Sequence, residues 1–133
     1  MTSKVVYLGD LRTECTHEQS GDSFMTDAPT DNNGKGEAFS PTDTVATGLA
    51  SCMITVMGIK ARDLAVDMTG TSAEVTKTMS SNPRRISKIE VVMTLPFQAD
   101  QKTKTILENT GKTCPVLNSL HPDIEKEISF NWA

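Results

Sequence analysis

At 133 residues, with 13 basic and 17 acidic side chains and a formal net charge of −4, the sequence has room for one domain and lacks the charge for a phosphate-tracking surface. Its densest positive spot is Arg84-Arg85 with Lys88 nearby, so nucleic acid is not an expected partner. Three widely spaced cysteines are too few, and odd in number, for the disulfide scaffold of a small secreted protein.

The opening run Met1-Thr2-Ser3-Lys4-Val5-Val6-Tyr7 has no long apolar core of an export signal, so a cytoplasmic protein with reduced thiols is expected. Lys4 to Leu8 is an apolar run suited to a strand, and Gly9-Asp10 signals a turn. Leu11 to Glu18 and Ser23 to Asp27 read as two further strands about the turn Ser20-Gly21-Asp22, making a meander. Ala28 to Gly36 is rich in turn formers and reads as a surface loop.

Ser40-Pro41-Thr42-Asp43 starts a helix. Ser40 can cap orphan N–H groups, Pro41 suits the first helical position, and Asp43 complements the positive helix end. From Thr44 to Ile59 no residue is charged. Val45, Leu49, Cys52, Val56 and Ile59 fall on one stripe, and Ala46, Ala50, Met53 and Met57 on a second. The helix is therefore expected to be buried on several sides and to end near Arg62-Asp63. It reads as too short and hydroxyl-rich for a membrane span. Gly48 and Gly58 lower helix propensity and suggest close packing, with a twin helix from a second copy as the natural partner. A chain of this size buries only about two-thirds of its unfolded surface, so an interface would add to its stability.

Val66 to Met79 reads as a strand with Ala73, Val75, Lys77 and Met79 on one side, broken by Ser80-Ser81-Asn82-Pro83. Ile86 to Phe97 is the clearest strand, with Ile89, Val91, Met93, Leu95 and Phe97 on one face. Asp100 caps a second helix to about Thr110, stopped by Gly111. Cys114-Pro115-Val116-Leu117 reads as a short helical turn, and Glu127 to Trp132 as a closing strand. The whole chain, 1–133, is read as one domain.

Free cysteine in mid-helix, as at Cys52, is most often a small core residue. Cys114 differs: at a helix N-cap its sulfur would face unpaired N–H groups, which lower a thiol pKa. Cys15 lies in a strand-like segment and reads as structural or incidental. His17 and His121 are far from any cysteine at ligand spacing, so no metal set is recognised and neither suggests a Cys-His acyl-transfer site. Gly34-Lys35-Gly36 is a weak echo of a phosphate loop.

Three segments in order resemble one known family. Phe39-Ser40-Pro41-Thr42-Asp43-Thr44-Val45-Ala46-Thr47-Gly48-Leu49-Ala50-Ser51-Cys52 is similar to the long-helix motif of OsmC/Ohr proteins. Pro83-Arg84-Arg85-Ile86 resembles the stretch after their strand turn, and Thr113-Cys114-Pro115-Val116 their second-cysteine motif. The resemblance implies an α+β fold, an intertwined homodimer with the two long helices at its centre and antiparallel strands wrapped around them. It implies Cys52 as the peroxide-attacking thiol, Cys114 as the resolving thiol and Arg12, the one arginine before the long helix, as the cation that holds the thiolate. Hydroperoxide reductases of the family carry Glu after the helix-start proline. Thr42 stands there in this chain, so Asp43 is the candidate for orienting the arginine, and the chain looks like a divergent OsmC-like branch.

The implied activity is thiol-dependent reduction of organic hydroperoxides. A Cys52 sulfenic acid condenses with Cys114 to a disulfide, which an external dithiol reduces, with no bound cofactor and no membrane partner. The alternatives are a binding protein for a small apolar ligand and an interaction module that uses the helix for dimerisation alone.

Overall fold

A computed structural model describes all 133 residues and gives two compact units, Met1–Val45 and Ala46–Ala133. The first unit holds the strands β1 (Ser3–Gly9), β2 (Arg12–His17) and β3 (Ser23–Asp27), an antiparallel sheet in that order. The predicted meander is present. A two-residue turn joins β1 to β2, and both its central residues are left-handed: Asp10 with φ 54° and Leu11 with φ 64°. That is the twist-matched hairpin geometry usually filled by Asn-Gly or Asp-Gly.

This unit has little apolar core. Its buried residues are Thr26, Asp27 and Ser40, while Val5, Val6, Tyr7, Leu8, Phe24 and Phe39 are exposed. The loop after β3 is pinned by backbone bonds: Asp27 N–H donates to Phe39 O, Gly36 N–H to Ala28 O and Gly34 N–H to Pro29 O. A Cβ at Gly34 would overlap the Ala28 carbonyl. Close backbone approach therefore accounts for this glycine without any phosphate.

Helix α1 (Pro41–Asp63) begins in the first unit and runs through the second. Its start is a reciprocal capping box: Asp43 N–H donates to Ser40 Oγ at 3.1 Å and Ser40 N–H to Asp43 Oδ2 at 2.9 Å. At 23 residues, α1 is long and apolar enough by composition to cross a membrane, so the expectation that it is too short does not hold. Its burial is also more one-sided than predicted. Ala46, Leu49, Ala50, Met53, Met57 and Ala61 are buried, whereas Val45 and Ile59 are exposed and Cys52 and Val56 lie at the boundary. A Cβ at Gly48 or Gly58 would meet nothing within 4 Å.

In the second unit β4 (Ser72–Ser80), β5 (Arg85–Leu95) and β6 (Glu125–Trp132) form a sheet with β5 central. β4 pairs with β5 antiparallel, and β6 pairs with β5 parallel. Parallel neighbours need a crossover, supplied by α2 (Gln101–Gly111) and α3 (Pro115–Ser119). The strand expected from Val66 starts only at Ser72. Leu64 to Thr71 is turn, with Ala65 at φ 55° and Gly70 at φ 91°. Ile89, Val91, Met93 and Leu95 of β5 have no exposure and form one core with Leu49, Met53 and Met57 of α1, Leu107 of α2 and Cys114. The fold is α+β.

Candidate active site

Cys52 and Cys114 both belong to the second unit, 62 positions apart in the chain, and the fold brings their thiols together. Cys52 sits in mid-α1, half-buried, one residue before Met53, at the border between the core face and the open face. Cys114 is fully buried and caps α3: its Sγ accepts the Leu117 N–H at 3.4 Å, and Pro115 takes the first helical position. The two cysteines are unbonded, and the Cys52 thiol is close enough to weigh on the ionisation of Cys114.

The electrostatics at Cys114 correct one expectation. An N-cap was expected to lower the thiol pKa. Instead Cys114 is held above the ordinary thiol range, first because burial disfavours the thiolate, against the lowering effect of the Leu117 and Val116 N–H groups, with the Cys52 thiol raising it further. A five-residue helix has a small dipole, and its donors do not compensate for complete removal from water.

Arg12 opens β2 in the first unit, and its Nε donates to Asp27 Oδ1 at 2.8 Å. Asp27 is 1% exposed, Arg12 31%, and the other carboxylate oxygen accepts the Glu37 N–H at 3.1 Å. Asp27 was not singled out from sequence. The signal was available: counting outward from the Ser20-Gly21-Asp22 turn, the register Thr16↔Ser23 leads four steps later to Arg12↔Asp27. Asp43 lies in the same unit, in the α1 capping box. Thr42 is half-buried beside it, where its hydroxyl reaches Ser40 Oγ at 3.2 Å.

Cys15 is half-buried in β2, with its sulfur 3.8 Å from Thr13 Oγ1. His17 is exposed and bonded to Ser20, and His121 is exposed, with its Nδ1 accepting the Asp123 N–H. No group of three or more His, Cys, Asp or Glu side chains gathers in a way that could hold a metal ion.

A family model described as OsmC-like protein matches residues 34–129, which include all of α1 and both paired cysteines. The chain belongs to the OsmC-like family. Among solved structures, a Psychrobacter arcticus 273-4 protein assigned to osmotic stress induction and a detoxification response is 55% identical, with a TM-score of 0.95 over 98% of this chain and 96% of that one. An OsmC-like protein from Mycoplasma pneumoniae (19% identity, TM-score 0.77, 98% and 94% covered) shares the fold. So does an organic hydroperoxide resistance protein OsmC from Legionella pneumophila (16% identity, TM-score 0.72, 98% and 97% covered). A comparison with proteins of curated function returns no match. The matched span leaves out β1 to β3, and with them Arg12 and Asp27.

Proposed function

We propose that this OsmC-like protein is a cysteine-based peroxidase that reduces organic hydroperoxides. The observation that carries the reading is the pairing of a half-exposed helix thiol, Cys52, with a buried, capped thiol, Cys114, in one unit of the fold. The Cys52 thiolate attacks the distal peroxide oxygen. The O–O bond breaks, the alkoxide leaves as alcohol after taking a proton, and Cys52 becomes a sulfenic acid. Cys114 then attacks that sulfur, water leaves, and a Cys52–Cys114 disulfide remains. An external dithiol restores both thiols by exchange. No bound cofactor takes part.

Arg12 is assigned the task of holding Cys52 ionised, since a guanidinium beside a thiol favours the charged form. Asp27 fixes the arginine in that role, and Asp43 secures the helix start and assists in orienting it. The protein works in the cytoplasm as a homodimer. The open face of α1, with Val45, Gly48, Gly58 and Ile59, supports this, as do the exposed apolar residues of β1. A twin α1 on that face would explain both glycines.

The test is peroxide consumption. Reduced protein is mixed with cumene hydroperoxide, and loss of peroxide and of thiols is followed. Cys52→Ser abolishes turnover. Cys114→Ser accumulates sulfenic or overoxidised Cys52 and turns over poorly. Turnover unaffected by Cys52→Ser removes the mechanism. A second reading, a binding protein for a small apolar molecule, is favoured by the raised pKa of Cys114, which slows resolution. A ligand retained in native mass spectrometry, together with no peroxide turnover, would establish it instead.

A further inference from the structure

Gly111 is the last residue of α2 and is buried. Its backbone is helical and is not among the positive-φ positions, so nothing in its conformation calls for glycine. The reason lies across the core. A Cβ built there would stand 2.8 Å from Met57 Sδ, 3.2 Å from Met57 Cγ and 3.7 Å from Met53 Cε. The first contact is closer than real Cβ atoms come, and the second is tight. Met57 has no exposure, so its side chain cannot swing aside into solvent.

The segment from Gly111 to Cys114 is tied to α2. Lys112 N–H donates to Glu108 O, and Thr113 donates to Thr110 O through both its N–H and its hydroxyl. Displacement of the end of α2 is therefore passed on to Cys114. On the other side of the contact, Met53 directly follows Cys52 in α1. The contact between Gly111 and the two methionines thus joins α1 to the end of α2, three residues before Cys114 at the cap of α3.

We infer that Gly111 is a positioning residue of the thiol pair: its missing side chain lets the end of α2 seat on Met57 of α1, and that seating brings Cys114 up to Cys52. This rests on the reading of Cys52 and Cys114 as a redox pair. In the resolving step Cys52–SOH and Cys114–SH give the disulfide and water, and the step needs the two sulfurs within bonding reach. An added methyl at Gly111 pushes α2 and α1 apart and slows that step, while the attack of Cys52 on peroxide, in which Cys114 takes no part, is unchanged.

The experiment measures the pair without peroxide. The full chain carrying Cys15→Ser, so that one pair remains, is equilibrated with reduced and oxidised glutathione, quenched in acid and weighed by mass spectrometry. The reaction is protein dithiol plus glutathione disulfide giving protein disulfide plus two glutathione thiols. Gly111→Ala should lower the effective concentration of Cys114 at Cys52 by about tenfold or more. Met57→Ala alone should leave it within about threefold, and the double variant should return to that level. Single-turnover loss of cumene hydroperoxide should be as fast in Gly111→Ala as in the parent, and dimedone should trap more Cys52 sulfenic acid in the variant, because Cys114 competes for it less well. An unchanged equilibrium in Gly111→Ala overturns the inference, as does a loss that persists in the double variant. Should Gly111→Ala alone not fold, the double variant is compared with Met57→Ala, and a weaker pair in the double variant overturns it. A parent that forms no Cys52–Cys114 disulfide in oxidised glutathione overturns the redox reading itself. A parent that forms it while Gly111→Ala matches the parent overturns only the positioning role.

Discussion

Asp27→Ala tests the anchoring of Arg12. The Asp27 carboxylate is 1% exposed and accepts from Arg12 Nε at 2.8 Å and from the Glu37 N–H at 3.1 Å. Removing it leaves two donors without their acceptor. The charge-assisted bond is worth about 1.5 to 3 kcal/mol, and the orphaned Glu37 N–H costs about 1 to 3 kcal/mol. Arg12 keeps 31% exposure, so water recovers part of its guanidinium. The expected loss is about 3 kcal/mol, at the lower edge of what breaking a buried pair costs. Asp27→Asn keeps the shape and one carbonyl acceptor but not the charge, and should cost about 1 to 2 kcal/mol. Urea unfolding reads both as a lower midpoint at unchanged slope. Peroxide kinetics provide the second readout. With Arg12 no longer held, kcat/KM for cumene hydroperoxide should fall in both variants, while the Cys52–Cys114 equilibrium with glutathione stays at the parent value. A loss below about 1 kcal/mol for Asp27→Ala would refute the energetic argument. Full peroxidase activity in a folded Asp27→Asn variant would refute the assignment of Arg12.

The thiol pair and the open surfaces carry further predictions. Leu11 holds a left-handed conformation at φ 64° while half exposed, so Leu11→Gly relieves strain and should stabilise by about 0.5 to 1 kcal/mol in urea unfolding; an unchanged or lower midpoint counts against the strain. Because the folded pKa of Cys114 is raised, its contribution is complete below the ordinary thiol pKa of about 8.5 and is lost as pH rises through the folded value. The urea midpoint of the reduced protein should therefore decline in alkali, and Cys114→Ser should flatten that decline. For the same reason disulfide formation from the Cys52 sulfenic acid should accelerate with rising pH in stopped-flow measurements; a pH-independent rate would mean that Cys114 ionisation does not limit resolution. A Cβ at Gly48 meets nothing within 4 Å in its own chain, so a chain carrying Gly48→Leu should still fold. If twin α1 helices form the dimer, sedimentation should report monomer for this variant, and a persistent dimer would place the interface elsewhere.

Local signals located most elements. The α1 start was legible because Ser40, Pro41 and Asp43 each satisfy a different need of a helix N-terminus, and all three requirements coincide at one place. β5 was legible because Ile89, Val91, Met93 and Leu95 alternate strictly and one face is fully buried. The failures have separate causes. Val66 and Met68 are apolar enough for a strand, but Ala65 and Gly70 turn left-handed and keep the segment out of the sheet until Ser72. The parallel pairing of β6 with β5 is a matter of topology, invisible to any local pattern. The stripe of α1 with Val45 and Ile59 reads as buried because both are apolar, yet composition does not say whether the covering surface belongs to the same chain. The helix motif points to Asp43 as the partner of Arg12, whereas the acid that pairs with it, Asp27, is reached only through strand register.

The two cysteines differ in a way that suits opposite tasks. Cys52 is half-buried at the border of the core and is less enclosed than Cys114. Cys114 has no exposure, and burial holds it protonated. A protonated thiol is a poor nucleophile toward free peroxide: even at an ordinary pKa of about 8.5, only about 3% is thiolate at pH 7, and here less. Cys114 is thus shielded from the oxidant that Cys52 meets. In the proposed mechanism it must react once Cys52 is a sulfenic acid, and a weakly ionised thiol does so at a useful rate only if proximity replaces the missing thiolate. In that mechanism burial protects Cys114, and its speed as a resolving group depends on how closely α2 and α3 carry it against α1.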